Sequence, residues 1–167
     1  MRHPIAPVLA LAMFTTRASA SPAAEYAKHF AALGQLSVAV AQAMPVDQYS
    51  FRPHPESMTF GELMNHIAST NFSFCAGLNE SKAPNAPSPG ATDKDAVLKY
   101  LGDSFSYCSR IISQVSAAQL DAVHDSPDGK LPGREVLLAV YVHVAHHRGQ
   151  AEIYLRDKGI KPPPYRI

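Results

Sequence analysis

Tryptophan is missing from this chain, and cysteine is nearly so: 167 residues hold no Trp and two Cys, Cys75 and Cys108. Two cysteines so far apart exclude a disulfide-dense miniature scaffold, a C-x-x-C redox pair and a C-x-x-C-H haem attachment site. Charge is also scarce. Asp, Glu, Lys and Arg make up 17% of the chain, the net charge is +1, and the basic residues are scattered. Nothing in that pattern calls for nucleic acid. Long apolar runs are absent too. The stretch over residues 5–14 is interrupted by Pro7, and it is shorter than the roughly 20 residues needed to span a bilayer. No internal repeat is apparent.

What is present is an apolar fraction of 46%, enough for one globular domain with a core of its own. The first twenty residues read as a secretory signal peptide. Arg2 and His3 open it, the apolar run follows, and Ala18-Ser19-Ala20 is a small-residue cleavage site. Cleavage after Ala20 removes Arg2 and Arg17, so 13 basic and 14 acidic residues remain and the net charge becomes −1. The domain then spans residues 21–167, and the expected address is periplasmic or secreted. Export makes a disulfide permissible.

Helix signals dominate the mature chain. Helix one is expected over residues 22–43, capped by Ser21 with Pro22 in the first position. Phe30, Leu33, Leu36, Val40 and Met44 recur on it at helical spacing. Pro45 stops it. A connector over residues 46–58 carries Pro53 and Pro55, with Tyr49 and Phe51 expected to pack on the helices rather than touch a ligand. Thr59 and Glu62 form a capping box that starts helix two, running to about Leu78. Residues 79–91 hold Pro84, Pro87, Pro89 and Gly90 and read as a loop. Helix three follows, with Thr92 as its cap, through Val97, Leu101, Phe105, Cys108 and Ile112 to about Val115. Ser116 and Gln119 mark a short helical turn, and residues 125–129 a tight turn. Helix four runs from near Pro132 to Lys158, with Gly159 in the left-handed position beyond it. Four long helices with little strand signal make an all-α four-helix bundle.

The most informative stretch is His143-Val144-Ala145-His146-His147-Arg148-Gly149-Gln150. Residues four apart on a helix lie about 40° apart around the axis and about 6 Å along it, so the imidazoles of His143 and His147 can converge on one ion. They share a stripe with Val136, Val140, Gln150 and Tyr154, and its apolar start points it inward. Unpaired buried histidines cost free energy. A divalent metal would satisfy them, and so would ordinary hydrogen bonds within the core. His66 shares a face of helix two with Leu63, Ile67, Thr70 and Phe74, and the same two readings apply to it. Three neutral imidazoles suit zinc, nickel or ferrous iron and leave a coordination position open. Val144 stands where H-E-x-x-H would place a glutamate, so no general base is built into the motif.

Taken in order, Met44-Pro45, Tyr49-Ser50-Phe51-Arg52-Pro53, Thr59 to Met64 ahead of His66-Ile67-Ala68, His143 to Gln150, and Tyr154-Leu155-Arg156 before Gly159-Ile160 resemble the DinB-like family of metalloenzymes. The resemblance covers nearly the whole mature chain. It implies His66, His143 and His147 as ligands of a divalent metal ion, with His146 at the surface or one shell out. It also implies that helices two and three run parallel, joined by a long crossover. Thirteen loop residues at about 3.3 Å each reach roughly 40 Å, more than the roughly 30 Å of helix two. In that arrangement Cys75 and Cys108 lie towards the same end of the bundle. Two free core thiols are the expected state, because buried free cysteine is common.

Members of known activity are thiol-dependent transferases or isomerases. The resemblance therefore implies a metal-dependent transferase or a hydrolase acting on a small-molecule substrate. Asn65, Tyr141, Gln150 and Tyr154 lie near the ligands in sequence, each more plausible as a structural group than as one orienting substrate, and Arg148 is expected in a salt bridge. The competing reading is a non-catalytic metal-binding or interaction protein whose ion clips helices two and four together. A haem bundle lacks its motif. A second copy in a homodimer is compatible with the sequence; a membrane span and nucleic acid are not expected.

Overall fold

The computed structural model describes residues 22–165; the expected signal peptide and the Ser21 cap lie outside them. The elements are α1 (Pro22–Ala43), a 3-10 turn (Val46–Gln48), α2 (Phe60–Leu78), α3 (Lys94–Gln114), α4 (Ala117–Asp121), β1 (Val123–Ser126), β2 (Gly129–Pro132) and α5 (Gly133–Asp157). The fourth long helix expected from the sequence is α5. Among the described residues no helix is long and apolar enough to cross a membrane.

The helices form where the apolar spacing places them. Phe30, Leu33 and Val40 of α1, Met44 just beyond its end, and Val97, Leu101, Phe105, Cys108 and Ile112 of α3 are all buried. α2 starts at the expected capping box: Thr59 Oγ1 accepts from the Glu62 amide at 3.3 Å, and the Glu62 carboxylate accepts from the Thr59 amide at 2.7 Å. α5 ends as expected. Gly159 takes φ +72°, its amide donates to Arg156 O and the Ile160 amide to Leu155 O, both at 2.9 Å. These bonds satisfy carbonyls that the helix terminus would otherwise strand.

α1 packs on α3 and α5, and α2 packs on the same two. Contacts between α2 and α3 ascend together: Asn71 meets Ser104 and Cys75 meets Cys108, so these helices are parallel. Those between α2 and α5 run oppositely, with Phe74 beside His143 and Phe60 beside Tyr154. The crossover lies back along α2, where Asn65 Nδ2 donates to Pro89 O at 2.8 Å. Gly61 makes that approach feasible, since a β-carbon there would stand 1.8 Å from Ala91 O. The connector is pinned by Tyr49, fully buried, whose hydroxyl donates to Ala41 O at 2.8 Å. Burial pushes that hydroxyl's pKa up.

Three expectations need correction. Cys75 and Cys108 are joined in a disulfide, with Cα atoms 5.4 Å apart, and are not free thiols. The parallel run of α2 and α3 brings the two positions level, so the burial that favours free thiols also delivers the sulfurs to one another. α3 is capped by Asp93, whose carboxylate accepts from the Ala96 amide at 3.1 Å, and not by Thr92. A carboxylate both accepts the amide proton and complements the positive helix end. Finally, the turn at residues 125–129 belongs to a hairpin, Val123 pairing with Pro132 and Ser126 with Gly129. Its four-residue strands are too short and too polar to show alternation. Buried His124 anchors it through Nε2 and Gln119 O, 2.6 Å apart.

Candidate metal centre

α2 and α5 bring His66, His143 and His147 together. His66 Nε2 stands 3.0 Å from His143 Nε2 and 3.1 Å from His147 Nε2, and one ligand atom from each residue lies within 4.8 Å of the others. The stripe on α5 faces inward as expected: Val136, Val140 and Tyr154 are buried above and below the pair. On α2, buried Leu63, Ile67 and Phe74 surround the half-buried His66.

The environment keeps the imidazoles neutral. Burial pushes the His143 pKa down to about 4, helped by His147, His66 and His146. Burial also lowers His66 and His147, where a hydrogen bond from His147 to Gln150 opposes the shift. Three neutral rings crowded through Nε2 are poorly served by one another. Each N···N contact needs one proton and one lone pair, and His66 Nε2 faces both neighbours. His143 Nδ1 is buried with no hydrogen-bond partner among the described residues. The donor set therefore fits a divalent cation that accepts three lone pairs.

Gln150 braces the cluster. Its Oε1 stands 2.7 Å from His147 Nδ1, and its Nε2 is 3.1 Å from His146 Nε2. With the amide oxygen as acceptor, the His147 proton sits on Nδ1 and Nε2 is left free towards the other two rings. His146 is exposed and stands outside the cluster, as expected. The other side chains singled out in the sequence make contacts that hold the fold. Asn65 holds the crossover, Tyr141 bonds Tyr26 O of α1, Tyr154 donates to Met58 O at 2.9 Å, and Arg148 pairs with Glu152.

A groove of about 390 Å³ opens beside the cluster. His147, Gln150, Ile153 and Tyr154 form its α5 wall, and Glu56, Ser57, Met58 and Leu63 face them. The sequence reading missed the connector's share of this wall. No periodicity marks it, and the only available signal was the rigid Pro53-x-Pro55 segment that holds residues 56–58 in place. It also passed over His124, a core histidine bonded to backbone.

Comparison with known proteins places the chain in one family. A model of the DinB superfamily matches residues 29–151, which include all three histidines. The protein YjoA of Bacillus subtilis (strain 168) is 27% identical over 143 residues, covering 82% of this chain and 91% of its own. Its crystal structure, that of a DinB-like protein, superposes with a TM-score of 0.71 over 84% of this chain and 96% of that one, at 26% identity. A DinB-like protein from Bacillus cereus ATCC 10987 shares the fold at 17% identity, with a TM-score of 0.70 over 84% of this chain and 95% of its own. A bundle with parallel second and third helices, a histidine from α2 facing two from α5, and a family match across both helices lead to one conclusion: this chain belongs to the DinB superfamily.

Proposed function

We propose that the protein is a divalent-metal-dependent enzyme acting on a small molecule, with His66, His143 and His147 as the ligands of zinc, nickel or iron. The observation that carries this reading is the convergence of three neutral imidazole nitrogens beside an open groove. The ion would act there as a Lewis acid that lowers the pKa of a bound water or thiol. The chain's own groups bind and orient: Met58, Leu63 and Ile153 offer apolar contact, Glu56 and Ser57 line the polar side, and Gln150 holds His147. Transfer involving a low-molecular-weight thiol, or hydrolysis, is the reaction class that suits this arrangement and the family resemblance.

The second reading, a non-catalytic clip, draws support from the ligands' origin on two different helices. Cobalt substitution separates the two. Addition of azide or 2-mercaptoethanol to the cobalt form is expected to change its visible absorption, as an open coordination position requires. A spectrum indifferent to both would favour the clip.

Two outcomes follow from the electrostatics and the brace. Gln150→Leu is expected to weaken zinc binding about 10–100-fold, the usual cost of losing an outer-sphere partner, while Gln150→Glu retains it; competition with a chelator of known affinity measures both. The second concerns pH. All three histidines have folded-state pKa values below the ordinary 6.5, His143 at about 4. Below pH 6.5 the unfolded chain takes up protons that the folded chain does not. Stability of the metal-free protein should therefore fall as pH drops from about 6.5 towards 4, with no contribution from these groups above that window. Urea titrations at a series of pH values check this, and His143→Gln should flatten the slope.

Export, with cleavage after Ala20, is part of the same proposal. The Ala18-Ser19-Ala20 sequence and the disulfide, which persists in oxidising compartments, support it. Mass spectrometry of protein from its native host should find Ser21 at the N-terminus; an intact Met1 would refute it.

A further inference from the structure

The groove beside the three histidines is apolar on both walls and charged at one place. Met58 from the connector and Ile153 from α5 are 37% and 52% exposed where they line it. Such surface suits the apolar body of a ligand that a few polar groups then orient. Among the lining residues Glu56 is the only Asp, Glu, Lys or Arg. Its carboxylate accepts no hydrogen bond among the described residues. The one charged neighbour it approaches is His54, 3.9 Å away, whose Nδ1 already accepts from the Glu56 amide at 3.3 Å.

Cations on the neighbouring segments do not line the groove and face other groups. Arg52 donates to Pro55 O at 3.3 Å and pairs with Glu62 at 3.5 Å. Lys158 Nζ stands over the Phe51 ring, 3.5 Å from its centroid. A ligand that brought a carboxylate into the groove would find no counter-ion in the walls and would meet the Glu56 carboxylate. Repulsion of that kind separates ligands of similar shape. A ligand that brought an ammonium group would find a free acceptor beside apolar walls. We propose, on the reading of the three histidines as an open metal centre, that the small molecule this site takes is cationic, an apolar body carrying an ammonium group, and that Glu56 is the residue that recognises it. The apolar body lies along Met58 and Ile153, and the ammonium group faces Glu56. Complementary charge here acts on the choice of ligand more than on raw affinity, because the Glu56 side chain is 92% exposed and solvent screens it.

Three thiols of similar length isolate the effect of charge: 6-amino-1-hexanethiol, 6-mercapto-1-hexanol and 6-mercaptohexanoate. Each holds its end group far from the sulfur, so the thiol itself is nearly the same in all three. Titration into the cobalt form, followed by visible absorption, gives a dissociation constant for each. The amine should bind at least about fivefold more tightly than the carboxylate, with the alcohol between them, the scale of an exposed ion pair counted once as attraction and once as repulsion. Added salt should narrow the gap. Glu56→Gln should cut the amine-to-carboxylate ratio at least about threefold, and Glu56→Lys should invert the preference. Glu56 lies in an exposed turn outside every helix, and a thermal melt of each variant confirms the fold. If the alcohol leaves the cobalt spectrum unchanged, the open metal centre is refuted and the charge selection with it. If the alcohol binds but the amine and the carboxylate bind alike, or their ratio ignores both changes at Glu56, the metal centre stands and the role of Glu56 is overturned.

Discussion

His66→Ala is expected to abolish tight zinc binding, raising the dissociation constant at least about a thousandfold, since it leaves two ligands on one helix where a zinc site uses at least three. The same loss is expected for His143→Ala and His147→Ala. His146→Ala should stay within about tenfold of the parent, because it touches the cluster through Gln150 and the edge of the His147 ring, and its loss would loosen outer contacts without removing a ligand. The contrast is informative because all four histidines are close in space and two of them are adjacent in sequence. The metal-free fold should survive each change. Phe60 packs on Tyr154 across α2 and α5 without any of these rings, and removal of one ring relieves a crowded, desolvated set of imidazoles. Chelator competition on untagged protein, with a thermal melt of each metal-free variant, measures both effects.

Reduction of the Cys75–Cys108 disulfide should produce the largest change in stability. The bond closes a loop with a sequence separation of 33, for which chain entropy gives about 3–4 kcal/mol at 25 °C. In a domain of this size that is a fall in melting temperature of about 10 °C. The loop includes the crossover, so the bond ties together the two parallel helices that no short turn could join. Cys75→Ala with Cys108→Ala should reproduce the reduced melting temperature without reductant. Both sulfurs are buried, so mild reductant should act slowly on the native protein and quickly in denaturant. Equal melting temperatures for oxidised and reduced protein would show that the crossover is held by packing alone.

The parts of this structure that were legible in the sequence are those governed by local rules. The Thr59–Glu62 box, the Gly159 cap and the apolar spacing on α1, α3 and α5 each depend on neighbours within about one turn of helix, and the structure has them where expected. The convergence of His143 and His147 was legible for the same reason. The alliance with His66 was not: spacing left it an ordinary core histidine, and the family resemblance brought it to the other two. The hairpin at residues 123–132 escaped because four-residue strands carry too little periodicity, and the residue that anchors it, His124, acts through the backbone carbonyl of Gln119. The disulfide depended on the relative height of two helices, a long-range quantity, and the groove wall on a connector whose path is set by Tyr49 and two prolines.

X-ray absorption at the zinc edge of the metal-loaded protein tests the proposed centre most directly. Three imidazole nitrogens should ligate each ion, together with a fourth, exchangeable ligand that changes when thiol or azide is added, and His66→Ala should remove the signal. A fourth imidazole would bring in His146 or another histidine, and a coordination sphere unmoved by either ligand would close the site to substrate. A protein that takes up no zinc, nickel or iron would contradict the account altogether, leaving the three histidines as a packed cluster in the core of the bundle.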